Sequence, residues 1–299
     1  MSDWLRSVFA LTLCSSLALP LAARSAPAPQ WFKGNTHTHT LWSDGDAAPE
    51  YAADWYKSHG YHFLVLSDHN IFPEGEKWKR IGPGRTDMRP DTLKPLLDKF
   101  GKAVELRERG GVQEMKLKTL DQLRATFEEK DRFLFIKGEE ITDEHNKRPI
   151  HHGAVNIAGL IPPTGGTSVR DILERTVRAA EEEAKKSGRP VLLHLNHPNF
   201  GWAVDPDDIA HVAGEHFFEV YNGHRGAWNY GDRRHKSTEQ TWDYVLSLRL
   251  GKLGGEPLYA LATDDTHQYF QPQGVTNPGR GWVMVHAEEL SAEAITKAL

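Results

Sequence analysis

His37-Thr38-His39 puts two imidazoles one residue apart, and Ser43-Asp44-Gly45 follows with a carboxylate in a glycine-containing turn. Side chains alternate across an extended strand, so both imidazoles can face the same way. Neutral imidazole and carboxylate are the usual ligands of Zn, Mn and Fe. Alone, such a histidine pair could equally be an ordinary surface pair. Four later stretches raise its weight, because each ends an apolar run in His, Asp or Glu. These are Ser67-Asp68-His69, Gly138-Glu139-Glu140, Asn196-His197-Pro198-Asn199 and Thr263-Asp264-Asp265-Thr266-His267. Pro149-Ile150-His151-His152 adds two more imidazoles, and His194 lies within an apolar run. The set is too large for one ion, since a catalytic zinc site uses about three protein ligands. Two or three ions sharing a bridging carboxylate would use it. The chemistry that follows is hydrolysis: a hydroxide held between ions attacks, the ions act as Lewis acids, and no side-chain nucleophile is needed.

The elements that must position these groups read as alternating strands and helices. Tyr61–Leu66, Arg132–Lys137, Val191–Leu195, His216–Asn222 and Leu258–Ala262 are short apolar runs of the kind that form buried parallel strands. Helices are expected over Pro49–His59, Leu120–Lys130, Ser168–Lys186, Asp205–Val212 and Ser237–Leu250, bounded by Ser, Thr and Asp caps and by glycine stops. About seven strands in this order predict an α/β fold, a distorted (β/α) barrel. In such barrels functional groups sit at the C-terminal strand ends, where nearly every notable His and acid falls here. Residues 71–118 break the rhythm with Pro, Gly and charge. They read as an insertion, either a wall over the site or a solvated decoration, with a helix within Pro90–Arg109.

Composition excludes little but bounds the rest. A formal charge of −5 over 299 residues gives no nucleic-acid signal. Residues 1–26 read as a signal peptide: Arg6, the apolar run Val8–Ala23, then small residues. Export to the periplasm or beyond is therefore expected, with no transmembrane segment in the mature chain. The one cysteine, Cys14, lies in that leader, so neither a disulfide framework nor a thiolate metal site is expected.

Taken in order, the five motifs resemble those of the PHP (polymerase and histidinol phosphatase) domain family over roughly residues 31–270. The resemblance implies a distorted (β/α)7 barrel as one domain over 27–299, two or three divalent ions (Zn, Mn or Fe) and phosphoester hydrolysis. It implies that His37, His39, Glu140 and Asp265 hold one ion, Glu140, His151 and His197 a second, and Asp44, His69 and His267 a third. His151 and His152 point to opposite faces, and the family spacing favours His151. Asp68 is expected to orient His69 or its neighbours, and Asp264 to be a supporting acid. The expected substrate is a small phosphorylated molecule. Arg225, Arg233, Arg234, Arg85 and Arg148 are the cations that could meet it. Two rival readings are a metallohydrolase of a non-phosphate ester or amide, and a non-catalytic envelope module that binds metal or ligand.

Overall fold

A computed structural model describes residues 28–271 and 274–299, and the expected signal peptide lies outside them. The elements are β1 (Gln30–Asn35), α1 (Pro49–Ser58), β2 (Phe63–Leu66), β3 (Trp78–Arg80), α2 (Pro90–Phe100), β4 (Leu106–Arg109), β5 (Val112–Lys116) and α3 (Leu120–Phe127). There follow β6 (Leu134–His145), β7 (Arg148–Val155), α4 (Val169–Ser187), β8 (Leu192–Leu195), α5 (Pro206–His211), β9 (Phe217–Asn222), α6 (Thr238–Leu248), β10 (Tyr259–Thr263), β11 (Val283–Ala287) and α7 (Ala292–Ala298). Among the described residues no helix is long and apolar enough to cross a membrane.

Eight strands form one sheet in the order β10-β9-β8-β7-β6-β2-β1-β11. Strands β1, β2 and β6 run parallel, as do β8, β9 and β10. Strand β7 is antiparallel to both its neighbours, and β11 is antiparallel to β1. The sheet is rolled: one buried cluster takes Phe32, Phe63, Val65, Ile136, Val155, Leu192, Leu261, Val283 and Val285, with Phe217 packed against it. Those side chains come from all eight strands, which a flat sheet could not bring to one point. Burying each such side chain contributes roughly 1.5–3 kcal/mol. Ile295 of α7 joins them and covers that end of the barrel. Helices pack outside, α4, α5 and α6 over β8 and β9, and α1 and α3 over β2 and β6.

The barrel expected from the sequence is thus present, with two departures. The first is that β7 returns from β6 as an antiparallel hairpin strand, where the sequence predicts parallel strands. Its tight turn uses Asn146 and Lys147, both at positive φ (50° and 64°). The second concerns the insertion. It carries the expected helix as α2, but also an antiparallel sheet of order β3-β5-β4. It is no solvated decoration, because Met88, Leu96, Met115 and Leu117 share a buried cluster with Leu41, Trp42 and Ala48. The Trp42 indole N–H donates to the Lys118 carbonyl (2.9 Å), and Lys79 Nζ to the Ser43 carbonyl (3.1 Å). The insertion therefore grips the turn that carries Asp44.

Candidate metal centre

Beyond Asn35 the chain leaves β1 and meets the continuation of β10. Thr38 bridges Thr266. The His39 N–H donates to the Thr266 carbonyl (2.9 Å), and the Asp265 N–H to the His37 carbonyl (3.0 Å). His37 and His39 are set against Asp265 and His267 by this backbone ladder. Two of the site residues are held in the left-handed region, His197 at φ 25° and Asp265 at φ 49°. Non-glycine residues occupy that region at a cost of order 1–3 kcal/mol, which the surrounding structure must over-determine.

All nine residues expected as ligands converge. His37 Nε2 lies 3.1 Å from His39 Nε2, 3.2 Å from Glu140 Oε1 and 3.3 Å from Asp265 Oδ1. His39 Nε2 is 3.3 Å from Glu140 Oε2 and 3.2 Å from Asp265 Oδ1. Glu140 Oε1 also meets His151 Nδ1 (3.1 Å) and His197 Nε2 (3.2 Å), and its Oε2 meets His69 Nδ1 (2.8 Å). Asp44 reaches His267 Nε2 (3.4 Å), His69 Nε2 (3.6 Å) and His39 Nδ1 (3.7 Å). Four sets of donor atoms draw together: His39 with Asp44, His69 and His267; His37 with His39 and Glu140; His37 with His197 and Asp265; and His69 with Glu140 and His151. They overlap more than the three-ion assignment implied by the resemblance. His39 belongs as much to the Asp44 set as to its partner His37.

The donor set fits divalent metal. His37 Nδ1 lies 2.7 Å from Glu219 Oε1. A carboxylate only accepts, so Nδ1 carries a proton, and Nε2, once it gives up its own, turns a lone pair toward His39 Nε2. Two such buried nitrogens 3.1 Å apart are held together either by a proton shared between them or by a cation that takes both lone pairs. His37 Nε2, His39 Nε2 and Asp265 Oδ1 lie 3.1–3.3 Å from one another, close enough for all three to serve one ion.

Charge on the protein side is set by this crowding. Burial alone would push His37 down, but Asp265, Glu219 and Glu140 hold it well above the usual imidazole range. Burial is likewise outweighed at His69, which Glu140 and Asp44 hold at about 11, and at His267, which Asp44 and Asp265 hold at about 9. Glu140 and Asp265 are kept well below the carboxylate range by these imidazoles, against the pull of burial.

Other residues hold the cluster without entering it. Glu219 accepts from the Thr263 hydroxyl (2.6 Å), the His197 N–H (2.8 Å) and the Asn222 amide (2.8 Å), besides His37. Asn196 donates to Glu140 Oε1 (2.8 Å) and accepts from the Gly153 N–H (3.0 Å). His152 faces away and meets Glu215 (2.9 Å), so strand alternation gives the site His151. Asp68 acts on the turn rather than on His69: it accepts from Thr40 N–H and Oγ1 (2.8 Å each) and from Ser43 N–H (3.0 Å) and Oγ (2.6 Å). Asp264 accepts from the N–H groups of Gly279, Arg280 and Gly281 and from the Tyr56 hydroxyl. It anchors the backbone just before Asp265. Glu139 points outward to the Ile161 N–H (2.6 Å). His194 is buried beside Gly153, whose Cβ, if present, would lie 2.2 Å from its ring.

The cluster opens on a cleft of about 550 Å³. Several of its lining residues escaped the sequence reading, Arg89 and His224 among them. Arg89 sits just before α2 of the insertion, and His224 follows a glycine rather than an apolar run, so neither bears a motif. Arg89 is the cleft's one Lys or Arg among the described residues. Arg225 opens on a neighbouring hollow, and Arg148 and Arg234 on a third.

No protein-family model matches the chain, and no curated protein matches it. Among solved structures the chain is similar to a two-domain protein from Bacteroides vulgatus containing a predicted PHP-like metal-dependent phosphoesterase. Identity there is 19% and the TM-score 0.48, over 92% of this chain and 65% of that one, so the chain spans just under two thirds of its length. It is also similar to a candidate metal-dependent phosphoesterase from Bifidobacterium adolescentis (12% identity, TM-score 0.41, 85% of this chain and 93% of that one). A third is an amidohydrolase from Chromobacterium violaceum with bound sulfate and no metal (12% identity, TM-score 0.36, 82% of this chain and 93% of that one).

Proposed function

We propose that this chain is a metal-dependent phosphoesterase acting on a small phosphorylated substrate. The observation that carries the reading is Glu140, a buried carboxylate with imidazoles against both oxygens: His37, His151 and His197 at Oε1, His39 and His69 at Oε2. A carboxylate so placed would offer an oxygen to a cation on either side. His37, His39, Asp44, His69, Glu140, His151, His197, Asp265 and His267 would hold two or three divalent ions. Bound there, Zn, Mn or Fe would supply Lewis-acid activation of water and neutralise charge on the reacting phosphoryl group. The chain's own part is to hold the ligands in register. Glu219 fixes the His37 ring, Asn196 fixes Glu140, and Asp68 fixes the turn carrying Asp44. Arg89, which lines the cleft and pairs with Asp91, would share or exchange that partner for a non-bridging phosphoryl oxygen, and a guanidinium suits that geometry. The cleft floor offers no serine or cysteine nucleophile among its described lining residues.

The test is a substrate panel on purified protein of known metal content, with phosphomonoesters, phosphodiesters, carboxylic esters and amides in parallel. Turnover of phosphoesters that disappears on chelation is the expected result. Turnover confined to esters or amides would assign the other hydrolase chemistry, since fold and ligands do not fix substrate. Stoichiometric metal with no turnover on any class would leave a binding module.

A further inference from the structure

His224 is a shared wall. One side of it faces the metal cleft, and the other faces a hollow of about 330 Å³ formed largely by the loop between β9 and α6. That loop exposes two large aromatic rings into solvent, Trp228 (45% exposed) and Tyr230 (86%). Exposed aromatics on a floppy loop would mean little, but this loop is pinned. The Asn229 side chain accepts from the Asn222 N–H (3.1 Å) and donates to the Asn222 carbonyl (2.8 Å). Buried Asn199 donates to the carbonyls of Trp228 (3.1 Å) and Lys236 (3.0 Å). The Trp228 backbone is left-handed, at φ 47°, a conformation a bulky side chain adopts only when held there. Its ring is backed by Trp202 (4.7 Å between centroids), which in turn stacks on His235 (3.9 Å, 10°). Arg225 also lines the hollow and makes no ion pair among the described residues. Arg280 beside it is spent on the structure, donating to the carbonyls of Gly223, Gly274 and Val275 and to Asn277.

We infer that this hollow is a subsite for a flat aromatic ring on the leaving-group side of the substrate, a nucleobase or an aryl group. The inference rests on the phosphoesterase reading for the other end of the substrate. Rigid, strained, solvent-facing aromatics beside a reactive cleft offer a ready stacking surface. The unpaired guanidinium adds cation–π attraction and a donor for ring acceptors. The substrate would span both chambers, phosphoryl group toward Glu140 and ring toward Trp228 and Tyr230, with His224 between them.

The test compares adenosine 5′-monophosphate, phenyl phosphate and ribose 5-phosphate. The first and last share the same 5′-phosphoester and differ in the ring. Calorimetric affinities are measured on the full chain in the presence of chelator, and kcat/KM on the metal-loaded chain. The expected result is that an aromatic ester binds at least about tenfold more tightly than ribose 5-phosphate, from stacking alone. Tyr230→Ala and Trp228→Leu should each remove most of that advantage and leave ribose 5-phosphate within about twofold of wild type. A gain for adenosine monophosphate alone marks a nucleobase subsite, and a gain for phenyl phosphate as well marks a general aryl subsite. Should Trp228→Leu fail to fold, Tyr230→Ala decides, because that side chain is almost wholly in solvent. No ring preference in the wild type, or equal losses for all three ligands in the variants, overturns the inference. Absence of turnover on every ester would count against the phosphoesterase reading, while the affinities would still report on the subsite.

Discussion

Glu219→Gln is the sharpest perturbation of the centre that leaves every proposed ligand in place. The wild-type carboxylate receives four donors: His37 Nδ1 (2.7 Å) and Thr263 Oγ1 (2.6 Å) on one oxygen, His197 N–H (2.8 Å) and Asn222 Nδ2 (2.8 Å) on the other. An ionised carboxylate can accept all four, but an amide has one accepting oxygen and one donating nitrogen. In the variant two of the donors must therefore face an N–H group. If the amide nitrogen turns to His37, Nδ1 becomes the acceptor and the proton moves to Nε2, the atom needed for metal. If it turns the other way, the His197 N–H loses its partner at a backbone already in the left-handed region. Each buried group left unsatisfied costs about 1–3 kcal/mol. Residues that hold a metal-ligating histidine typically contribute about 10–100-fold in affinity, or roughly 1.4–2.7 kcal/mol. A competition titration against a chromophoric chelator reads the affinity, and thermal melts of metal-free protein separate it from folding. Metal affinity within about twofold of wild type would refute the reasoning, because Glu219 would then be a structural acid that happens to touch His37.

Four further outcomes are expected. Metal uptake releases protons: His69 and His267, held by carboxylates at about 11 and about 9 against the pull of burial, must lose their protons to ligate. Affinity should climb with pH toward 9, and calorimetry in buffers of different ionisation heat should show proton release; a flat profile contradicts this. Glu139, outside the cluster, is pushed up to about 7 by burial and by the charge of Glu183, against the Ile161 N–H. The folded chain keeps that proton where the unfolded chain, with its carboxyl near 4.3, has lost it, so wild-type stability falls as pH rises from about 4.5 to 7. Denaturation with chelator present should show Glu139→Gln gaining on wild type by up to about 3 kcal/mol across that window, and an unchanged difference would remove the assignment. Arg89→Ala should raise KM for a phosphomonoester by about 10-fold or more with kcat little altered, and Arg89→Lys should fall between; a pure kcat loss would place Arg89 elsewhere in the reaction. Gly45→Ala would bring a Cβ to 2.7 Å from the backbone of His39 and Thr40. It should displace the Asp44 turn and weaken metal binding, which the same chelator titration checks.

Much of this arrangement was legible because parallel strands buried on both faces read as short apolar runs, and ligands at strand ends follow them directly. Phe63–Leu66 running into His69 and Leu192–Leu195 running into His197 are such cases. The family motif selects Glu140, and strand alternation then turns Glu139 away, to the Ile161 N–H. What stayed hidden has other physical origins. The strands of the insertion's small sheet are short and charged, Leu106–Arg109 above all, and carry no apolar period. The hairpin of β6 and β7 extends past the apolar run into Asp143-Glu144-His145, which reads as a polar loop. The link between Glu219 and His37 joins residues 182 apart in sequence, so only the closed barrel reveals it. Asp68 stands next to His69 in sequence yet serves Thr40 and Ser43, because its carboxylate turns to the donors of that turn. Arg89 and His224 reach the cleft from loops, where no periodicity marks the inward residues.

The most direct measurement is a metal titration of chelator-stripped full-length chain with phosphoester hydrolysis followed in parallel. The expected result is no turnover without metal, activity that returns with two or more equivalents of Zn, Mn or Fe, and loss of both uptake and turnover in Glu140→Ala. Undiminished hydrolysis by metal-free protein, or a Glu140→Ala chain that binds the same metal and turns over at the wild-type rate, would contradict it.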